Sequence, residues 1–291
     1  MQHTKAKVAV VTGSSSGIGF ETSVLLARNG FYTYATMRNI DKSNKIADVA
    51  KRDNLPLEVL QLDVSNDKSV KDAINIIAEK QGRIDVLVNN AGYGSTGAVE
   101  DFSIDEIKAQ FETNFFGVTR VIQSVLPLMR RQGNGTIVNI SSIGGRIAFP
   151  FSPFYASTKF AIEGLSEALQ YEIAQFGIRV MLVEPGLIKT NFFENIKKPK
   201  KAEDSASPYR RLLQKRIDRV KGMLENGTAT AAAQEVAKVI LRAATTSYSD
   251  ERKLRYLVGN DAESLMERRI NMTDREFFNF MCKNILDVTY N

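Results

Sequence analysis

The sequence has almost none of the two residue types on which many catalytic centres depend. Among its 291 residues there is one histidine, His3, and one cysteine, Cys282. A Ser-His-Asp or Cys-His enzyme needs a placed histidine, and a zinc site of the usual kind needs several His or Cys ligands. These classes are excluded and no metal site is expected, so acid–base chemistry must come from Tyr, Lys, Asp or Glu side chains.

Long apolar runs are missing as well. No run reaches the ~18 to 20 residues that a membrane-spanning helix needs. The short apolar run near the N-terminus leads into a glycine-rich turn rather than a signal-peptide cleavage site. A single cysteine cannot form an internal disulfide, which fits a reducing compartment. We therefore expect a cytoplasmic protein without a membrane-inserted segment.

Short β-branched runs alternate with helical patterns along the chain. The helical patterns include Gly17–Asn29, Ser69–Lys80, Ile104–Met129 and Phe154–Phe176. The runs predict strands at Val8–Val11, Tyr32–Thr36, Glu58–Gln61, Val86–Asn89, Thr136–Ile140, Val180–Glu184 and Arg255–Val258. This alternation predicts an α/β fold of the doubly wound Rossmann type, in which a seven-stranded parallel sheet binds its ligand at the carboxyl ends of the strands.

A glycine-rich loop, with the sequence TGSSSGIG over residues 12–19, joins the first strand to the first helix. Glycines let a backbone turn sharply and approach a pyrophosphate, and a helix N-terminus offers free N–H groups and a positive dipole end. The alternative is a polar surface loop. The position of the loop at the first strand-to-helix junction favours nucleotide binding.

The spacing Gly-x-x-x-Gly-x-Gly and the motifs that follow it resemble the short-chain dehydrogenase/reductase family. The resemblance covers residues 5–192 in order and, more weakly, 228–260. Within it, segments 34–38, 159–165 and 255–259 are similar to the branch that contains hydroxysteroid and retinol dehydrogenases. The motifs at strand ends are Asn89-Asn90-Ala91-Gly92, Ser142, Tyr155-Ala-Ser-Thr-Lys159 and Pro185-Gly186, with Thr190 just after.

Tyr155 and Lys159 are four residues apart, so on a helix they share one face. A lysine ammonium within ~4 Å is worth ~4 kcal/mol at an effective dielectric of ~20, which lowers a tyrosine pKa of ~10 by up to ~3 units. The pair then provides a general acid–base without histidine. The alternative is that Tyr155 packs in the core and Lys159 is solvated.

The family resemblance assigns roles to these side chains. It implies that Tyr155 passes the proton, Ser142 orients the substrate oxygen, Lys159 binds the nicotinamide ribose and Asn114 holds a water relay. Ser141 is the rival to Ser142, and Asn114 has the alternative of satisfying local backbone groups.

The resemblance also implies a set of cofactor contacts besides Tyr155 and Lys159. Asp63 would lie by the adenine, with helix capping near Ser65 as the alternative, and Ile188 and Thr190 would meet the nicotinamide carboxamide. The implied contacts are Gly13, Ser15, Ser16, Gly17, Ile18, Gly19, Arg38, Asp63, Val64, Asn90, Ala91, Gly92, Pro185, Gly186, Ile188 and Thr190.

The choice between NAD(H) and NADP(H) depends on the end of the second strand. An NAD-selective site has an acidic residue there, whereas this chain has Met37 followed by Arg38. An arginine can pair with a 2′-phosphate and stack on adenine. The sequence thus favours NADP(H) over NAD(H), with a solvated Arg38 as the alternative. One departure is Ser16, where many NADP-using members have a basic residue.

We expect a single domain over residues 1–291, with a dinucleotide-binding core over 5–192, a basic insertion over 193–228 and a helix, strand and tail over 229–291. Between Lys197 and Lys221 ten Lys/Arg and three Asp/Glu give +7, and because the whole chain is +6 the remainder is −1. The positive charge is therefore local, and no nucleic-acid-binding face is expected.

The basic insertion has the pattern of an amphipathic helix. Ser207-Pro208 is typical of an N-cap and a first helical position, and an apolar stripe follows at Leu213, Ile217, Val220 and Leu224. We expect a mobile lid over the substrate, with Arg210, Arg211 and Lys215 able to favour anionic substrates. A solvated basic face, or weak contact with an anionic membrane surface, is the alternative.

These observations predict an NADP(H)-dependent oxidoreductase that interconverts an alcohol and a ketone or aldehyde. A bulky apolar substrate is favoured by aromatic residues near the motifs, namely Phe149, Phe151, Phe154, Phe192 and Phe193 beside Pro150. The alternative is a non-redox enzyme or an NADP-sensing protein on the same fold. Apolar residues on the helices of 104–129 and 154–176, which the family buries between subunits, predict a homodimer or homotetramer.

Overall fold

The structure is a computed structural model that describes residues 6–203, 207–226, 230–246 and 253–289. His3 and Asp204, on which parts of the sequence interpretation depend, lie outside the described residues, as do residues 227 and 228 at the end of the basic insertion.

A parallel sheet forms the centre of the molecule. The described strands are β1 (Val8–Thr12), β2 (Tyr32–Met37), β3 (Leu57–Gln61), β4 (Val86–Asn89), β5 (Gly135–Ile140), β6 (Ile178–Pro185), β7 (Leu187–Lys189), β8 (Thr230–Ala232) and β9 (Arg255–Val258). Seven of them pair in the order β3-β2-β1-β4-β5-β6-β9. All neighbours in this sheet are parallel. The predicted seven-stranded doubly wound sheet is confirmed.

Helices cover both faces of this sheet. They are α1 (Gly17–Arg28), α2 (Asn44–Arg52), α3 (Asp67–Gln81), α4 (Ile104–Phe111), α5 (Gly117–Gln132), α6 (Pro153–Ile173), α7 (Arg210–Asn226), α8 (Ala233–Thr245), α9 (Asn260–Asn271) and α10 (Asp274–Met281). Side chains of α3, α5 and α6 pack on one face, and side chains of α1 and α8 pack on the other. None of the helices in the described ranges is both long and apolar enough to cross a membrane.

Alternate residues of β1 enter the two cores. Val8 and Val10 join the core under α3, α5 and α6, whereas Ala9 and Val11 join the core under α1 and α8. A strand that is buried on both faces needs apolar residues at consecutive positions, which explains the uninterrupted VAVV run. The carboxyl end of β1 is thereby fixed at the centre of the sheet, where the glycine-rich loop begins.

The helix predicted over Ile104–Met129 is interrupted. Residues Glu112–Phe116 form a π-helical turn between α4 and α5. Such a turn inserts one residue into the helical ladder, and it is frequent at functional sites. Here it places the buried side chain of Asn114 toward the loop that follows β4. Hydrophobic periodicity alone does not detect this insertion, because the apolar face continues on both sides of it.

The basic insertion contains helix α7, but that helix begins later than predicted. Pro208 lies in a turn before Arg210, and the Ser207 Oγ accepts a hydrogen bond from the Tyr209 N–H at 3.4 Å. Leu213 of the predicted apolar stripe is buried, and the other stripe residues are partly buried, namely Ile217, Val220 and Leu224. The short parallel pair β7 and β8 flanks this segment and was not predicted.

The C-terminal tail packs close to the carboxyl end of β5. Phe277 and Met281 of α10 form a cluster with Ile143 and Ile147. The C-terminal tail therefore contributes apolar side chains that support the loop after Ser142.

Candidate active site

The glycine-rich loop adopts a conformation that requires its glycines. Gly13 and Gly17 have φ angles of +72° and +58°. An added Cβ at Gly19 would collide with the carbonyl oxygen of Gly13, and one at Gly13 would lie 2.8 Å from the Cα of Ala91. The loop is thus pressed tightly between α1 and the turn after β4.

The same loop has the chemistry that a pyrophosphate needs. Ser16 precedes α1 without any side-chain cap, and no acidic residue lies in the first turn of that helix. Ser15, Gly17 and Ile18 are partly exposed, and Ser16 is exposed. Free N–H groups, two serine hydroxyls and the positive end of a helix dipole fit a dinucleotide phosphate at this position.

Asn90 holds the loop in place. Its Nδ2 donates to the carbonyl oxygens of Thr12 at 2.9 Å and Gly13 at 3.1 Å. The Thr12 Oγ1 in turn accepts the N–H groups of Asn90 and Ala91 at 3.0 and 3.1 Å. Asn90 and Ala91, both predicted to contact the cofactor, therefore also connect the ends of β1 and β4.

Ser142 and Tyr155 meet where β5 ends and α6 begins. The Ser142 Oγ accepts the Gly144 N–H at 3.0 Å and donates to the Pro185 carbonyl at 3.4 Å. Burial raises the pKa of Tyr155 to about 12, and a hydrogen bond with Ser142 opposes part of that rise. The Oγ of Ser141 is buried and lies near Gly145 and Glu163 instead. Ser142 is therefore the serine that contacts Tyr155.

Lys159 lies one helical turn after Tyr155, but its ammonium is held by the main chain. Its Nζ donates to the Ile140 carbonyl at 2.7 Å and lies 5.8 Å from the centre of the Tyr155 ring. Burial lowers the pKa of Lys159 to about 8, and Glu163 opposes that decrease. The structure does not show the expected lowering of the Tyr155 pKa, because desolvation of the hydroxyl dominates.

Asn114 connects the π-helical turn to the loop after β4. Its Oδ1 accepts the Tyr93 N–H at 3.1 Å, and its Nδ2 donates to the Tyr93 carbonyl at 3.0 Å and to the Thr158 Oγ1 at 3.1 Å. Both amide hydrogens are thus engaged within the protein, which matches the alternative of satisfying local groups. The same bonds orient α6 at Thr158, between Tyr155 and Lys159.

Arg38 follows β2 at the edge predicted to bind the adenosine end of the cofactor. Met37 is buried, whereas Arg38 is exposed and forms no ion pair in the part of the chain that the structure describes. Burial raises the pKa of Tyr93, and the charge of Arg38 opposes that rise, so the guanidinium lies on the side of the loop that follows β4. This position is open to an anionic group.

Asp63 and Val64 lie in the turn after β3. The Asp63 Oδ1 accepts from the N–H and the hydroxyl of Ser65 at 3.0 and 2.6 Å. Helix α3 begins at Asp67 and is capped by Asn66, so Asp63 stabilises the preceding turn rather than the helix. Val64 is buried, and an added Cβ at Gly117 would lie 2.8 Å from its Cγ2.

The segment after β6 faces the glycine-rich loop. An added Cβ at Gly17 would lie 3.5 Å from the side chain of Thr190. Ile188 is buried and belongs to the core shared with α8. Gly186 lies against Asp261, whose carboxylate accepts the Leu187 N–H at 2.6 Å. Of the predicted contacts in this segment, Thr190 therefore lies against the glycine-rich loop, whereas Ile188 belongs to the hydrophobic core.

Only part of the predicted aromatic wall lies beside Tyr155. The ring of Phe192 is 5.8 Å from the Tyr155 ring and 5.7 Å from that of Phe193. Phe154 instead packs edge-on against Phe102 at 5.0 Å. Phe149 packs with the C-terminal helices. The apolar side of the cleft is therefore built mainly by the segment after β7.

A buried charged network behind Lys159 was not anticipated from the sequence. The Arg255 Nε lies 2.8 Å from Glu163 Oε2 and 3.5 Å from Glu184 Oε1. Arg146 lies 3.3 Å from Glu184. Burial and the neighbouring Glu163 raise the pKa of Glu184 well above its usual range. The available signal was an acidic residue at the end of an otherwise apolar strand.

Comparisons with known proteins agree with this geometry. The sequence model described as short chain dehydrogenase matches residues 7–201. A 3-ketodihydrosphingosine reductase of Bacteroides thetaiotaomicron is 43% identical over 189 residues, which span 65% of this chain and 66% of that protein. Retinol dehydrogenase 8 of Bos taurus is 42% identical over 190 residues, or 64% and 60% of the two chains. These matches therefore span about two thirds or less of either relative.

Solved structures share the fold over more of the chain. A short-chain dehydrogenase from Streptomyces avermitilis superposes with a TM-score of 0.80 at 31% identity, covering 94% of this chain and 96% of that one. Other solved structures with this fold are complexes with NADP or with NAD.

Proposed function

We propose, from the premise that the chain belongs to the short-chain dehydrogenase family, that it is an NADP(H)-dependent oxidoreductase that interconverts an alcohol and a ketone or aldehyde on a bulky apolar substrate. The observation that carries the proposal is the position of Tyr155, whose hydroxyl is hydrogen-bonded to Ser142 and which is followed one helical turn later by Lys159.

The protonation of these side chains suits the reductive direction. With a pKa of about 12, Tyr155 keeps its proton at neutral pH and can deliver it to a carbonyl oxygen. Ser142 can hold that oxygen by a second hydrogen bond, and the Lys159 ammonium can bind a ribose hydroxyl. A reduced nicotinamide supplies the hydride when it is bound.

The preference for NADP(H) is supported by Arg38 and Met37. The exposed guanidinium of Arg38 can donate two hydrogen bonds to a 2′-phosphate, and the buried Met37 leaves no acid to bind a 2′-hydroxyl. Glycine-loop N–H groups and the uncapped N-terminus of α1 would hold the pyrophosphate.

An apolar substrate is supported by Phe192 beside Tyr155 and by two relatives named for 3-ketodihydrosphingosine and retinol, both largely apolar molecules.

We also propose a homodimer or homotetramer, because apolar surface is exposed on adjacent elements by Ile104, Phe116, Phe160 and Tyr171. The buried free thiol of Cys282 fits a cytoplasmic location, which cell fractionation would test.

The direct assay is NADPH consumption by the purified protein with a panel of ketones and aldehydes of increasing apolar bulk. We expect turnover that rises with apolar bulk and is faster with NADPH than with NADH. A protein that binds NADPH but reduces none of these carbonyls would instead be an NADP-sensing protein or a non-redox enzyme on the same fold.

A further inference from the structure

Arg216 of α7 lies in an unusual environment for a charged side chain. Its Nη1 donates to the Thr96 Oγ1 at 3.2 Å and its Nη2 donates to the Ser152 Oγ at 2.8 Å. The Nε is buried and has no hydrogen-bond partner within the described ranges. Burial lowers the pKa of Arg216 to about 10. The side chain is therefore desolvated, and only neutral hydroxyl groups accept its hydrogen bonds.

Two other partly buried arginines of this protein have carboxylate partners. Arg120 is paired with Asp67 and Glu112, and Arg255 is paired with Glu163, Glu167 and Glu184. No ion pair joins Arg216 to a carboxylate in the segments that the structure covers. Because burying an unpaired charge is strongly unfavourable, such a site is best explained by an anion that it receives from outside the chain.

The position of Arg216 connects it to the candidate active site. Ser152 immediately precedes α6, and Tyr155 lies in the first turn of that helix. Ser152 provides no side-chain cap, so the positive end of the α6 dipole adds to the charge of Arg216. Thr96 belongs to the loop after β4, in which Gly94 lies against Phe192, the aromatic neighbour of Tyr155. The two hydroxyl partners of Arg216 thus lie two residues from Gly94 and three residues from Tyr155 along the chain.

We propose that Arg216 binds an anionic group, a carboxylate or a phosphate, that an otherwise apolar substrate carries at a distance from its carbonyl. This inference deepens the proposed function, because it gives the substrate class as an anionic amphiphile. This assignment differs from the expectation from the sequence, which gave the anion preference to Arg210, Arg211 and Lys215. Arg210 and Arg211 are exposed, and Lys215 is directed to Asp287 at 3.4 Å.

The competing explanation is that Arg216 only clamps α7 onto the loop after β4 and the start of α6. A clamp affects all substrates alike, because it positions the wall of the cleft. An anion site affects charged substrates and leaves neutral ones of the same shape nearly unchanged. The two roles are therefore separated by a comparison of matched charged and neutral ligands.

The kinetic test compares an ω-oxo dodecanoic acid with its methyl ester, using NADPH and the variants Arg216→Met, Arg216→Lys and, as the exposed control on the same helix, Arg211→Met. We expect Arg216→Met to reduce kcat/KM for the acid by about tenfold to a hundredfold, as loss of a charge-assisted hydrogen bond predicts. For the ester, Arg216→Met should keep a kcat/KM near the wild-type value. Arg211→Met should keep a kcat/KM near the wild-type value for both substrates. Arg216→Lys should retain part of the kcat/KM for the acid. Equal losses for acid and ester would overturn the proposal in favour of the clamp.

A binding test decides the same question without turnover. Calorimetry measures the affinity of the wild type and the variants for dodecanoate, dodecyl phosphate and dodecanol. We expect an anion to bind more tightly than the alcohol, and Arg216→Met to remove that difference. The two anions distinguish a carboxylate from a phosphate ligand. If no carbonyl is reduced but the anion preference depends on Arg216, the proposed function fails and the anion site at Arg216 stands. If the alcohol binds as tightly as both anions, the anion site at Arg216 fails.

Discussion

At the scale of single residues, the chemistry depends on how burial changes side chains that are ordinary in the sequence. The four-residue spacing of Tyr155 and Lys159 predicted a shared helix face, and the structure places the tyrosine ring and the lysine ammonium near the carboxyl end of β5. It could not predict that desolvation raises the Tyr155 pKa, since that depends on packing from distant parts of the chain. For the same reason, Arg216 was indistinguishable from its basic neighbours.

Arg38 provides a test of cofactor selectivity at this scale. Replacing Arg38 with Ala should raise the Michaelis constant for NADPH by about tenfold or more, because a charge-assisted contact with the 2′-phosphate contributes ~1.5 to 3 kcal/mol. The constant for NADH should change little, since NADH has no such phosphate. Steady-state kinetics with each cofactor measures both. Equal increases for the two cofactors would contradict this assignment.

At the scale of secondary-structure elements, the contact between β6 and α6 combines structural and electrostatic roles. Glu184 of β6 and Glu163 of α6 are both paired with Arg255 of β9. The strand and the helix were both predicted from the sequence pattern. The contact between their acidic residues could not be predicted, because it depends on how the two elements pack against each other. The π-helical turn at Asn114 is a second feature that only the packed helices determine.

The raised pKa of Glu184 predicts how stability depends on pH. The folded state keeps this proton at pH values where the unfolded chain has lost it, so the free energy of unfolding falls as pH rises above the ordinary glutamate range of about 4 to 5. One proton contributes at most about 1.4 kcal/mol per pH unit. In Glu184→Gln this decrease should be smaller.

Urea denaturation at a series of pH values measures that dependence. Glu263→Gln is the matched control, because Glu263 is an exposed glutamate on α9. We expect the control to follow the wild type through the pH series. A Glu184→Gln variant whose stability falls with pH in parallel with the wild type would rule out titration of Glu184 as the cause.

At the scale of the whole molecule, the sequence predicted the fold well because each level of information agreed. Buried strands such as β1 have continuous apolar runs, amphipathic helices lie between them, and the glycine-rich loop marks the first crossover. The predictions failed where local preference does not decide the structure. The start of α7, the short pair β7 and β8 and the packing of Phe149 and Phe154 all depend on contacts between segments far apart in sequence.

The oligomeric state is the prediction that belongs to this scale. Tyr171 is 71% exposed, Ile104 65%, Phe116 49% and Phe160 45%, on elements that pack beside one another. We expect light scattering at about micromolar concentration to give the mass of a dimer or tetramer. The double change Phe116→Asp and Phe160→Asp should shift it toward the monomer, whereas Ile270→Asp on α9 should not. A monomeric wild type would contradict this prediction.

The central claim is that this chain catalyses hydride transfer to a carbonyl with Tyr155 as the acid, and isotope transfer tests it most directly. The wild type and Tyr155→Phe are each given NADPH deuterated at its hydride-donating carbon and an apolar ketone, and the alcohol is analysed by mass spectrometry. We predict deuterium on the carbinol carbon of the wild-type product. Tyr155→Phe should form this product at least ~10²-fold more slowly while still binding NADPH. Product without deuterium, or near-normal turnover by Tyr155→Phe, would contradict the account.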